Sequence, residues 1–92
     1  MKIVINIAYG GFDVPEEFVI RYSKKYHYND DLMRIDADLI QWIEKHNGEY
    51  RPRHGTRLII KEIPDDSTDW IIEEYDGLES ILYVVDGKIK RL

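Results

Sequence analysis

The stretch DWIIEEYDGLESILYVVDGKIKRL, residues 69 to 92, decides the fold. It carries two Asp-Gly pairs, Asp76-Gly77 and Asp86-Gly87, each flanked by β-branched and aromatic residues. Asp-Gly is the strongest short hairpin signal, because both central positions of a type I′ turn take positive φ. The stretch therefore predicts strands over 69–75, 78–85 and 88–92. A two-residue turn also fixes register: Tyr75 faces Leu78, Glu74 faces Glu79, Ile72 faces Ile81 and Trp70 faces Tyr83. Ile72, Ile81, Trp70 and Tyr83 then share one face, and Ile71, Leu82 and Val84 the other. Both faces are apolar. Two short helices cover one of them, and a symmetric copy of the chain is the simplest cover for the second, which predicts a homo-oligomer, a dimer or larger.

Upstream, RLIIKEI (57–63) reads as another strand and Pro64-Asp65-Asp66 as the turn after it, so 57–92 forms consecutive antiparallel strands. Before them a helix is marked by Leu39, Ile40 and Ile43 on its apolar face and by Asp36 or Asp38 as its cap. Lys45 and His46 suit its negative end, and Gly48 stands where a left-handed residue would stop it. HYNDDLM (27–33) is polar and reads as a connection ending near Arg34. An earlier helix runs from Asp13 to about Tyr26, with Asp13 and Glu16 spaced as a capping box, Pro15 in the first turn, and Phe18, Tyr22 and Tyr26 on one stripe. KIVINIA (2–8) reads as a mostly buried strand. The chain is thus one α+β domain over 1–92, in the order β-α-α-β-β-β(-β), a mostly antiparallel sheet with two helices packed on one face.

Composition narrows the function classes. Hydrophobic residues make up 43% of the chain and seven are Tyr, enough apolar and aromatic surface to offset the entropy of folding. The net charge of −5, from 13 basic and 18 acidic residues, argues against general nucleic-acid binding, which needs a basic face. With no Cys there is no disulfide framework, thiolate site or cysteine nucleophile, which fits a reducing interior. MKIVINIAY (1–9) is too short for a membrane span and lacks a cleavage site, so the expected setting is cytoplasmic, with no membrane partner.

A few charged residues carry the chemistry. Glu74 and Glu79, directly opposed, repel by roughly 0.2 to 1 kcal/mol. A cation, a proton or a ligand donor therefore belongs beside them, and Arg34 is the candidate cation. The alternative is two solvated glutamates at a hairpin end. AYGGFDVPEE (8–17) has the strand, glycine turn and helix start used for phosphate binding. It lacks a full glycine fingerprint and a P-loop Lys-Ser/Thr, and Asp13, Glu16 and Glu17 would repel phosphate on the helix axis. Gly10 and Gly11 either permit a turn that seats Phe12 or let a base or ribose approach the backbone. Arg51, Arg53, His54 and Arg57 suit an anion or a solvated loop. Tyr9, Tyr22, Tyr26, Tyr28 or Tyr50 could stack a base, although packing is the commoner use of tyrosine. His27, His46 and His54 show no metal-ligand spacing and no serine lies in a nucleophile motif, so no catalytic residue, metal or cofactor is expected.

KIVIN with GGF, RIDADL and IIEEYDGLE together resemble a family of small proteins of tailed phages, prophages and large DNA viruses. The matching positions are Val4 to Asn6, Gly10 to Phe12, Arg34, Asp36, Leu39, Ile63 to Asp65, and Glu74 to Gly77 with Glu79. This chain crosses from its first helix to the Arg-x-Asp segment with HYNDDLM alone, where the family often carries a longer insert. Its end, VVDGKIKRL, lacks the family's aromatic and basic ending. The resemblance implies a viral or prophage setting and a role against host defence. The expected function is a small-ligand-binding protein that sequesters a nucleotide-derived signal. Gly10, Gly11 and Phe12 would shape the pocket, Arg34 would meet phosphate or orient Glu74 and Glu79, Asp36, Glu74, Tyr75 and Glu79 would fix the ligand, and Arg51, Arg53 and Arg57 would add anion contacts. The alternative is an interaction module that binds and inhibits or adapts a host defence protein.

Overall fold

Both Asp-Gly turns close two-residue hairpins, and at Asp76-Gly77 the register is the one read from the sequence. In a computed structural model that describes residues 1–52 and 55–92, Asp76, Gly77, Asp86 and Gly87 all have positive φ. Tyr75 pairs with Leu78, Glu74 with Glu79, Ile72 with Ile81 and Trp70 with Tyr83. The elements run β1 (Lys2–Asn6), α1 (Glu16–Lys25), α2 (Asp30–Arg34), α3 (Ala37–Lys45), β2 (Glu49–Tyr50), β3 (Leu58–Glu62), β4 (Asp69–Tyr75), β5 (Leu78–Val85) and β6 (Lys88–Arg91). The fold is α+β.

The strands form two antiparallel sheets, β1-β3-β2 and β4-β5-β6, rather than one. Pro64 to Ser67 does form a turn, with the Ser67 N–H donating to the Pro64 carbonyl at 3.0 Å, but it carries the chain out of the first sheet into the second. The reason is apolar surface on both sides of the first sheet. Val4, Leu58 and Ile60 pack against Phe18, Tyr22, Leu39 and Ile43 of the helices. Ile3, Ile5 and Ile59 pack against Trp70, Ile72, Ile81 and Tyr83 of the hairpins. The result is three layers, helices on sheet on sheet, in which the chain's own hairpins cover the face opposite the helices.

Two helical details differ from the sequence reading, and the cap of the third helix is one of the two residues it named. The helix after the Gly-Gly turn begins at Glu16 behind Pro15, with no side-chain cap, and Asp13 accepts instead from the neighbouring Val14 N–H at 3.0 Å. A residue before proline is driven out of helical geometry, so no helix starts at Asp13. The connection 27–33 holds a short helix of its own, α2, capped by Asn29, which accepts from the Leu32 N–H at 3.1 Å. Asp36 rather than Asp38 caps α3. The α3 helix ends through Asn47 and Gly48, both at positive φ, with the Gly48 N–H donating to the Ile43 carbonyl at 2.9 Å. Among the described residues no helix is long and apolar enough to cross a membrane.

Candidate functional site

In β1 the odd-numbered residues exchange backbone hydrogen bonds with β3, which leaves the N–H and C=O groups of Val4 and Asn6 on an open strand edge. Among the described residues no further strand pairs with that edge. Arg34, at the end of α2, donates from Nη1 to the Val4 carbonyl at 3.1 Å, and Glu79, at the start of β5, accepts from the Asn6 N–H at 2.7 Å. The two side chains also grip each other through two parallel bonds of 2.7 Å each. A guanidinium and a carboxylate thus present a donor and an acceptor to β1 where a neighbouring strand would. Phe12 closes the assembly, its ring centroid 4.1 Å from the guanidinium carbon. Both charged side chains are 4% exposed. Arg34 Nε is the one buried side-chain polar atom left without a hydrogen-bond partner among the described residues, and Asp31 stands 3.9 Å from it.

Asp36 is also an internal group. It accepts from the N–H groups of Asp38 and Leu39 at 2.9 and 3.2 Å, from the Tyr22 hydroxyl at 2.7 Å, and from the Tyr26 hydroxyl. Burial alone would push its carboxyl up. The Tyr26 and Tyr22 hydroxyls and the two helix N–H groups outweigh burial and hold it at about 2. Tyr22 is pushed well above the usual phenol range, by burial and then by the Asp36 carboxylate that its hydroxyl serves. At Asp30 burial also raises the carboxyl. The Arg34 charge opposes that shift, and the charges of Glu79, Asp31 and Glu74 add to it.

A different set of residues meets at one end of the molecule, where three loops converge. Asn6, fully buried, ties them together. Its Nδ2 donates to the Ala8 and Gly77 carbonyls at 2.6 Å each, and its Oδ1 accepts from the Arg57 N–H at 2.9 Å. The Thr56 hydroxyl donates to the Gly11 carbonyl at 3.0 Å. The backbones touch closely enough that a Cβ on Gly10 would lie 2.1 Å from the Gly55 carbonyl. Two open hollows result. One, of about 540 Å³, is lined by Tyr9, Gly10, Gly11, Glu74, Asp76 and Gly77. The other, of about 350 Å³, is lined by Ile7, Ala8, Tyr9, Arg51, Pro52, Gly55, Thr56 and Arg57. Tyr9, 75% exposed, belongs to both. Carboxylates lie on one side of it and guanidiniums on the other, with Arg57 Nε also donating to Glu49 at 2.8 Å.

The residues expected to form one site are therefore divided. Gly10, Gly11 and Glu74 share the acidic hollow, and Arg51 and Arg57 the neighbouring basic one. Phe12, Arg34 and Glu79 belong to the closure of the β1 edge, and Asp36 to the α3 cap. Tyr75, 78% exposed, lies outside both hollows and lines a depression with Glu73, Glu74, Leu78, Ser80 and Arg91, so Glu74 borders this depression as well as the acidic hollow. Arg53 and His54 lie outside the described residues. Two contributors stood out little in the sequence. Tyr9 was one of five tyrosines with equal claim, and Asn6 was named only within the Val4–Asn6 match of the resemblance, with no role given to it. Compared with known protein families, characterised proteins and solved structures, the chain matches no family model, no characterised protein and no solved structure.

Proposed function

We propose that the chain is a small-ligand-binding protein whose site is the loop cluster around Tyr9, and that its ligand is nucleotide-like. A flat ring would lie on Tyr9, hydroxyl or amino groups would donate to Glu74 and Asp76, and an anionic group would meet Arg51 and Arg57. Gly10 and Gly11 would admit the ligand close to the backbone. The observation that carries the reading is the position of Tyr9, exposed at the junction of an acidic and a basic hollow. Stacking on an aromatic ring contributes about 1 to 3 kcal/mol per base. Guanidinium forks add charge-assisted bonds to phosphate. Binding rather than catalysis is proposed because the described side chains of the two hollows supply a ring, acceptors and cations, but no nucleophile beside a base. With the viral or prophage setting that the resemblance implies, the role would be sequestration of a nucleotide-derived signal in the host cytoplasm.

The test uses adenosine monophosphate as a probe in a titration followed by amide NMR shifts. The expected result is saturable shifts confined to Tyr9–Gly11, Gly55–Arg57 and Glu74–Gly77, weaker with adenosine and lost in Tyr9→Ala. Shifts that fail to appear at millimolar probe, or that map to another surface, would overturn the reading. A protein-interaction role rests on a separate observation: the face of β4-β5-β6 turned away from the core keeps Ile71 and Ile89 exposed.

A further inference from the structure

The acidic hollow beside Tyr9 is rich in acceptors and poor in donors. Its charged side chains are Glu74 and Asp76, both exposed, and a carboxylate only accepts. Glu74 stands directly opposite Glu79, and Arg34 gives both of its parallel bonds to Glu79. Among the described residues no cation forms an ion pair with Glu74, so of the opposed carboxylates it is the one left without a donor. Two carbonyls of the loop cluster are already in use. That of Gly77 accepts from Asn6 Nδ2, and that of Gly11 from the Thr56 hydroxyl. What the hollow offers a ligand is therefore carboxylate oxygen beside an aromatic ring.

We propose that the base held on Tyr9 is guanine, read by Glu74. This rests on the ligand reading above and names the base within it. Charge sets the direction of the nucleotide. Glu74 and Asp76 repel phosphate from the acidic hollow, and Arg51 and Arg57 attract it on the other side of Tyr9, so the base edge falls to the acidic side. Of the common bases guanine alone sets two adjacent donors, N1–H and an N2 amino hydrogen, on one edge, where they meet the two oxygens of one carboxylate in parallel bonds. Adenine and cytosine set a single amino donor beside a ring-nitrogen acceptor, and uracil sets one donor between two carbonyls. Each of these turns a lone pair towards the carboxylate, which opposes binding. Glu74 is assigned rather than Asp76 because it is the carboxylate of an opposed pair whose cation has gone to the other member.

The test is an amide NMR titration of the intact chain with guanosine, inosine and adenosine monophosphate in turn. Inosine keeps N1–H and lacks the N2 amino group. Binding should weaken in that order, with guanosine monophosphate about tenfold or more tighter than adenosine monophosphate. Glu74→Gln sets a donor and an acceptor where two acceptors stood, the pattern that matches adenine, so in this variant the guanine preference should disappear or pass to adenine. Because Glu74 is exposed, the variant should keep the parent's amide spectrum away from the loop cluster. Equal affinity for the guanosine and adenosine probes, with shifts at Tyr9, would overturn the base assignment and leave the ligand reading standing. No shifts at Tyr9 with any of the three would overturn both. Inosine binding as tightly as guanosine would overturn the two-donor contact. A guanine preference that survives Glu74→Gln and is lost in Asp76→Asn would overturn the role of Glu74.

Discussion

Replacing Arg34 with Met tests whether the closure of the β1 edge holds the fold. The substitution keeps much of the side chain's volume and removes three interactions at once: the two bonds to Glu79 and the one to the Val4 carbonyl. It leaves a carboxylate 4% exposed, with the Asn6 N–H as its remaining donor. Removing one member of a buried ion pair costs about 3 to 5 kcal/mol, most of it the penalty of the stranded charge. A chain of this length has roughly 5 to 14 kcal/mol of total stability, so Arg34→Met should consume about a fifth of it or more. For a domain of this size each kcal/mol corresponds to about 4 to 8 °C, so the melting temperature should fall by at least about 12 °C. Urea unfolding followed through Trp42 and Trp70 measures the change on both sides of the first sheet. Arg34→Met with Glu79→Leu should be less destabilised than Arg34→Met alone, because the stranded carboxylate is gone. A cost under about 1 kcal/mol for the single variant, or a double variant equal to the sum of the singles, would refute the reasoning.

Three further outcomes are expected. Asp36 has its carboxyl depressed to about 2 in the folded chain, so its contribution, about 2 kcal/mol, is complete above the ordinary carboxylate range and is lost as pH falls from about 4 to about 2. Urea midpoints across that window should drop less steeply in Asp36→Asn than in the parent. Gly10→Ala should distort the loop cluster, because its Cβ would meet the Gly55 backbone and not a movable side chain. Gly11→Ala meets no atom and should cost only about 1 kcal/mol for its φ of +84°. Amide NMR spectra should therefore show wide shifts over 55–57 for the first variant and local ones for the second. Asn6→Ala removes three loop bonds and should raise hydrogen exchange at Arg57 and in the 76–78 turn together, which a role confined to β1 would not do.

The hairpins were legible because the Asp-Gly turn fixes register locally, and every pairing from Asp69 to Val84 follows from it. The α3 cap at Asp36 was legible for the same kind of reason, since capping involves a few neighbouring residues. The division into two sheets was not. A turn such as Pro64 to Ser67 looks alike whether the next strand pairs with the last one or crosses to another layer. The short α2 was hidden because five residues give no readable period and their helix is held by the burial of Met33 and Arg34. For the candidate site, the opposition of Glu74 and Glu79 correctly called for a cation. Which of the two carboxylates Arg34 would take depended on β1 lying beside β5, a contact between residues more than 70 positions apart.

That separation has a consequence for how the chain is made. The edge of β1 is closed by a side chain 30 positions downstream of Val4 and another 73 positions downstream of Asn6. Until β5 has left the ribosome, β1 keeps an open, β-rich edge, the kind of template that recruits other chains. The molecule's resistance to that hazard is thus acquired late and all at once, and forms truncated before residue 79 should collect in aggregates even where their helices form.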